Sequence, residues 1–353
     1  MRVPVRLSDL PAAPRDSRTV AIYCRPHGAG TRPAPLQVFP PVAGEPSRAQ
    51  RLLGCRPGMR LAAVVALSYL VLARVAGAGS RPCGDDVPCD CGDVLVSGRT
   101  LGDGDPITQH ACDGDGLVVR LRPGAASAVL DLGNHILVSN HRGVGIRVVG
   151  GDGTVTITGP GAVRGFRTGI DAPGGALGHV GDVVTSDNDA DGFNVAGAGF
   201  AITSCEATRN GRDGFALRGL RYRVEGNRAT ENGRFGFSLA GRNAALGGTL
   251  GNEAAGNRRD GLLVRGRNHE VVRAVATANG RGGIRARLAG GSLEAAVATG
   301  NHGAGVHGRA HDATIADSVA RGNGGAGIDV RGSRVRDGGG NRAARCRVGA
   351  ACR

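Results

Sequence analysis

The chain has no Trp and no Lys, and only 3 Tyr and 7 Phe among 353 residues, so large side chains are too few to fill the thick core of a conventional globular domain. Hydrophobic residues still reach 41% while aromatics stop at 3%. The shortage is therefore one of size rather than apolarity, which argues against a disordered chain and for a narrow core of Ala, Val, Leu and Ile. With Lys absent, all 44 basic residues are Arg, set against 30 acids for a formal charge of +14. Such usage follows from an Arg-rich codon bias as readily as from a polyanionic partner.

Residues 1–58 are rich in Pro and Arg, follow no period of 2 or 3.6, and carry the isolated Cys24 and Cys55. They read as an unstructured leader, or as an extension upstream of a start at Met59. Met59-Arg60, the apolar run from Leu61 to Ala73 and Ala76-Gly77-Ala78 supply the charged, apolar and small-residue parts of a secretory signal over 59–78. The run is shorter than the roughly 20 residues of a membrane span, so no stable span is expected after cleavage; a short N-terminal anchor is the alternative. Removing 78 residues leaves 33 Arg against 27 acids, a mildly basic body expected to be secreted, periplasmic or at a cell surface of bacterial type, and monomeric.

Seven cysteines follow the signal: Cys83, Cys89, Cys91, Cys112, Cys205, Cys346 and Cys352. Six crowd the two ends of the body, as expected of disulfides stapling the terminal units of an exported protein. Cys346 pairs naturally with Cys352; Cys91 with Cys112 and Cys83 with Cys89 are chosen among the possible N-terminal pairings. Metal binding there is disfavoured, since no His stands at zinc-ligand spacing. Cys205 is expected to be a buried, inert thiol.

Seven segments share the form Asn, three variable residues, Gly, large apolar, anchored at Asn188, Asn210, Asn232, Asn257, Asn279, Asn301 and Asn323, with spacings of 22, 22, 25, 22, 22 and 22. Weaker copies at Gly145-Ile146 and Gly169-Ile170 extend the series. Apolar residues alternate within each unit, as in Phe215/Leu217 and Leu262/Val264, the period of a strand. Nineteen residues past the anchor stand Ala207, Ala229, Ala276, Ala298 and Ala320, joined by Ala254 once a 3-residue insertion near Ala244–Gly248 is allowed for. Helical repeats need longer units, and a leucine-rich repeat needs a Leu ladder that is missing. The pattern predicts an all-β, right-handed parallel β-helix: about nine coils of roughly 22 residues over 117–333, with caps at 79–116 and 334–353 and a length of roughly 40 Å at 4.8 Å per coil. The anchoring Asn side chains are expected to bond one another and the turn backbone, and the following Gly to adopt a conformation closed to other residues.

On these residues the chain resembles the right-handed parallel β-helix repeat family, with its pectate-lyase-like fold. The resemblance covers roughly Cys91 to Cys352. It is carried by the Asn-x-x-x-Gly-apolar repeat, by Cys91-Gly92-Asp93, by Leu130-Asp131-Leu132-Gly133 and by the Cys346/Cys352 pair, and is closest to uncharacterised exported bacterial members. Enzymes of this family cleave or epimerise acidic polysaccharides with carboxylates, sometimes Ca²⁺, and a basic residue on one outer sheet. Of the polygalacturonase-like set only His302-Gly303 and His307-Gly308 find an echo here, and Asn268-His269-Glu270 keeps half of the epimerase motif. The resemblance thus implies an architecture more than a chemistry.

Eight residues past the anchor stand Arg218, Arg265, Arg287, Arg309 and Arg331, facing opposite to the apolar pair. A guanidinium ladder of this kind suits the carboxylates or sulfates of an acidic polysaccharide or cell-surface glycan; the plain alternative is a solvated face. Nucleic acid is not expected, since no stacking aromatics interleave the row. Asp189, Asp191 and Asp213, with Asp260 at the same phase as the last two, are candidate Ca²⁺ ligands or ordinary turn residues. His269-Glu270 and Tyr222 between Arg221 and Arg223 read as surface groups. Near-uniform coils leave no room for the loops that wall an enzyme's groove, so a glycan-binding or structural scaffold is expected ahead of a polysaccharide lyase.

Overall fold

The computed structural model describes residues 81–150 and 153–352. The segments read as leader (1–58) and signal (59–78) lie outside the described residues. Among the described residues no helix is long and apolar enough to cross a membrane.

The chain winds into an all-β parallel solenoid of about twelve turns, built from three sheets that each take one strand per coil. The first sheet runs from Pro82–Cys83 through Val94–Leu95, Leu117–Val119 and Phe193–Ala198 to Cys346–Val348. The second includes Ser127–Asp131, Ala201–Thr203, Arg223–Glu225 and Arg336–Asp337. The third includes Ile136–Val138, Glu206–Thr208, Arg228–Thr230 and Arg342–Ala343. The turns exceed nine because coils at both ends lack the anchoring Asn that makes the repeat visible. At the C-terminal end Cys346–Val348 pairs antiparallel with Ala350–Ala351, reversing the chain over the last coil.

Like positions stack in the register that the spacing predicts. Phe193, Phe215, Phe237, Leu262, Ile284, Val306 and Ile328 form one inward row. The three Phe rings lie nearly parallel, with centroids 4.6 and 4.7 Å apart. Ala207, Ala229, Ala254, Ala276, Ala298 and Ala320 form the small-residue row of the third sheet, and all are buried.

The anchoring Asn residues form a continuous buried ladder. Asn257 Nδ2 donates to Asn279 Oδ1 at 3.0 Å and to the Ala229 carbonyl at 3.0 Å, while its own Oδ1 accepts from Asn232 N and Nδ2 at 3.0 and 2.9 Å. Each amide thus satisfies backbone groups that the corner leaves unpaired. A second, shorter ladder of Asn227 and Asn252 does the same between the second and third sheets; the repeat motif does not contain it.

The motif Gly has a different role from the expected one. Gly214 keeps an ordinary backbone, and what excludes a side chain is space: a Cβ there would stand 2.8 Å from Asn232 Nδ2 and 2.8 Å from the Gly236 carbonyl oxygen. The left-handed residue is instead the one before each anchor, such as Arg209, Glu231, Gly256 and Ala278, with φ of 51, 56, 65 and 53°. Left-handed residues at Arg221, Asn243 and Asn268 also make the corner between the first and second sheets, with φ of 52, 54 and 52°. Each such kink resets the in–out alternation, so the next residue points inward.

That corner corrects the reading of Tyr222 and His269 as surface groups. Tyr222 is buried, stacks on Phe200 at 4.8 Å, and donates its hydroxyl to the Ala240 carbonyl at 3.2 Å. His269 is also buried; its Nδ1 accepts the Ala244 N–H at 3.2 Å and its Nε2 donates to the Arg265 carbonyl at 3.0 Å. The 3-residue insertion lies between Leu246 and Glu253, since Leu246 pairs with Val224 whereas Glu253 pairs with Arg228. Three disulfides close the ends, Cys83–Cys89, Cys91–Cys112 and Cys346–Cys352, as expected. Cys205 is a buried free thiol, and burial pushes its pKa up to about 12.

Candidate functional site

The outer face of the first sheet is fixed by the same alternation that fills its inner face. Between and after inward Leu262 and Val264 the chain turns Leu263 and Arg265 outward, Leu263 covered by its neighbours and Arg265 exposed, and the other coils of the repeat follow the same phase. In register, the outer row reads Arg218, Ala240, Arg265, Arg287, Arg309, Arg331. All five predicted arginines therefore share one straight column, broken once at Ala240, and all five are exposed. Adjacent members lie one strand spacing apart, about 4.8 Å.

Neutralisation of the column is uneven. Arg331 is held by Asp329 at 2.8 Å, and this guanidinium keeps the Asp329 carboxyl below the usual carboxylate range. Among the described residues no acid lies within ion-pair distance of Arg218, Arg265, Arg287 or Arg309. By contrast Arg209, Arg228 and Arg334, elsewhere on the surface, each meet an acid one coil away. Three consecutive like charges at this spacing repel one another unless counterions or an anionic ligand screen them.

A second arginine row, which the repeat analysis missed, follows the turn that leads into the first sheet. Arg212, Arg234, Arg259 and Arg281 occupy successive coils, linked by backbone hydrogen bonds of 2.8 to 3.2 Å. Arg234 and Arg259 lie 5.6 and 5.7 Å from the Phe235 ring centroid, within cation–π range. Their phase, two residues past the anchor, was there to be read. Between the two rows the outward residues Ala216 and Leu263 are only 3% and 4% exposed, so neighbouring side chains cover this strip of the face.

Farther along the same face sits a polar group. Asp260 is fully buried; its Oδ1 accepts the Gly282 N–H at 2.9 Å, and Arg285 Nη2 lies 3.2 Å from Oδ2. Arg285 Nε donates to His307 Nε2 at 3.0 Å, which places the imidazole proton on Nδ1. Asp260 Oδ2 and His307 Nδ1 are buried without a hydrogen-bond partner. Burial holds the His307 pKa below the ordinary histidine value, against the opposing pull of Asp260.

The predicted Ca²⁺ ligands are placed differently. Asp191 Oδ1 accepts the Asp213 N–H at 3.0 Å and Asp213 Oδ1 accepts the Phe235 N–H at 3.3 Å, so each ties its turn to the next. Burial, reinforced by the Asp191 charge, raises the Asp213 pKa. Asp189 turns away to His141, 2.7 Å from its Nδ1. Asp191 and Asp213 thus share a row that Asp189 leaves.

No protein-family model matches the chain, and no curated protein matches it. Solved structures with a similar course include the A-module of a mannuronan C-5 epimerase from Azotobacter vinelandii, 18% identical over 77% of this chain and 92% of that one, with a TM-score of 0.44. A periplasmic alginate epimerase is 13% identical over 71% of this chain and 74% of that one, at a TM-score of 0.41. The catalytic unit of an α-1,3-glucanase from Streptomyces thermodiastaticus is 15% identical over 76% and 68%, at a TM-score of 0.30. Likeness this distant assigns no activity, and the function has to be argued from the arginine face itself.

Proposed function

We propose that the protein is an exported β-helix that binds an acidic polysaccharide along the outer face of its first sheet. The observation that carries this reading is the column Arg265, Arg287 and Arg309: three exposed guanidiniums on consecutive coils, none of them paired with an acid among the described residues. A column of this kind fits a straight polymer whose anionic groups recur at about the coil rise, each held by a bidentate guanidinium. Duplex DNA fits poorly, because the phosphates of each strand wind around the helix axis, rising about 3.4 Å per nucleotide, instead of following a straight line. In the second row Arg212 and Arg234 face Asp191 and Asp213 at 3.9 and 3.7 Å, while Arg259 and Arg281 meet no acid among the described residues and add basic groups on the turn side. Three closed disulfides support an oxidising compartment and hence export.

Replacing Arg265, Arg287 and Arg309 together with Ser should abolish retention on an immobilised polyuronate column, while elution from a neutral glycan column stays as before. Unchanged retention on the polyuronate would remove the reading.

Half-buried His307, bonded to Arg285 beside the fully buried carboxylate of Asp260, favours a second reading, in which the same face cleaves the chain that it binds, with Asp260 holding Arg285 and His307 in place. A lyase of this kind releases unsaturated uronate ends that absorb in the ultraviolet. Incubation with polyuronates should then raise the absorbance, and Asp260→Asn should stop the rise. No rise with any polyuronate leaves binding alone.

A further inference from the structure

The N-terminal cap gathers metal-ligand chemistry that the sequence spacing concealed. Cys91 and Cys112 are joined, with Cα atoms 5.5 Å apart. His110, two residues before Cys112, brings Nδ1 to 3.9 Å from Cys91 Sγ and Nε2 to 3.1 Å from Asp90 Oδ1. His110 Nδ1 also faces the Ala111 carbonyl at 3.4 Å. The carboxylate is itself positioned: Asp90 Oδ1 accepts the Cys91 N–H at 2.7 Å, and the Asp90 N–H donates to Asp93 Oδ2 at 2.8 Å. Ligand atoms of Asp90, Cys91 and His110 all lie within 4.8 Å of one another.

We propose that the dithiol form of this cap is a zinc site, with Cys91 Sγ, Cys112 Sγ and His110 Nδ1 as ligands and Asp90 orienting the imidazole through Nε2–H. Two thiolates and one imidazole, with a fourth position open to water, suit tetrahedral Zn²⁺. A carboxylate on the far nitrogen is the usual support of a zinc-bound histidine. The chemistry balances with a thiol reductant: two of its thiols become a disulfide, the Cys91–Cys112 bond takes up the two electrons and two protons, and zinc then displaces both thiol protons. The cap would hold either its own disulfide or a metal ion, and in either state the chain ends stay tied.

The test uses the full chain, reduced with a dithiol that is then removed under anaerobic conditions, with Co²⁺ as a spectroscopic probe and Zn²⁺ as competitor. Tetrahedral thiolate-to-cobalt absorption should appear at one equivalent, be bleached by Zn²⁺, and be absent before reduction. His110→Ala should abolish it, Asp90→Asn should weaken binding by about 10- to 100-fold, and Cys346→Ser with Cys352→Ser should leave it unchanged. If the reduced cap unravels, Zn²⁺ should restore it and slow alkylation of Cys91 and Cys112 in the wild type but not in His110→Ala. No thiolate–cobalt absorption together with no protection, or binding indifferent to His110, overturns the proposal.

Discussion

A single anchoring residue illustrates how the fold is held. The Asn257 side chain makes four hydrogen bonds in a fully buried corner. Replacing it by Ala strands the Asn232 N–H, one N–H of the Asn232 side-chain amide and the Ala229 carbonyl, while Asn279 Oδ1 keeps the Asn257 backbone N–H. Each buried group left unpaired costs about 1–3 kcal/mol, so Asn257→Ala should lower the unfolding free energy by at least about 3 kcal/mol in urea titration. His269 contributes to the pH response, alongside His307, whose pKa burial also lowers. Burial depresses the His269 pKa in the folded chain, with the Arg265 carbonyl pulling the other way, and its Nδ1 is committed as an acceptor. A histidine depressed on folding leaves stability untouched above the unfolded value of about 6.5 and subtracts from it as the pH falls further, by up to about 1.4 kcal/mol per pH unit. Unfolding midpoints should therefore decline below about pH 6.5, and His269→Gln should flatten the decline; an unchanged slope would show that other groups govern it.

At the scale of the element, each coil is three short strands and three corners, and the corners decide which faces look outward. The left-handed residue before each anchor can be tested in both directions. Gly256 has φ of 65° with room for a Cβ, 3.5 Å from Glu231 Cγ, so Gly256→Ala should cost about 1 kcal/mol for backbone conformation alone. Ala278, at φ of 53°, bears that cost already, and Ala278→Gly should return about 0.5–1 kcal/mol. Thermal unfolding of the two variants should move in opposite directions. The strands were legible in the sequence because period 2 and a 22-residue repeat survive on them, and with them the Phe row, the Ala row and the arginine column. The corners were not: Tyr222 sits between two arginines, and composition alone reads it as exposed. Only the kink at Arg221 turns it inward. His110 was passed over for a related reason, since its approach to Cys91 and Asp90 is made across one coil, 19 residues from Cys91, and only His110-Ala111-Cys112 is short in sequence.

For the whole molecule, stability is a sum of coil-on-coil interfaces, and the end coils have one neighbour instead of two. Covalent closure by Cys346–Cys352 and by the two N-terminal disulfides offsets that deficit. Replacing Cys346 and Cys352 with Ser should speed amide hydrogen exchange in Ile328–Arg331 and Cys346–Val348 while leaving Phe215–Leu220 as slow as before. Uniform acceleration along the rod would mean that the molecule opens as one unit rather than from its end.

The reversed segment Ala350–Ala351 also interrupts the parallel stack of the first sheet. A second molecule approaching end-on meets a backbone of opposite polarity on the first sheet. On the other two sheets it meets two-residue strands carrying Arg336, Asp337 and Arg342. Within the described residues the parallel stack thus gives way to a reversed strand and two short charged strands, none of which offers a long parallel edge to an incoming strand.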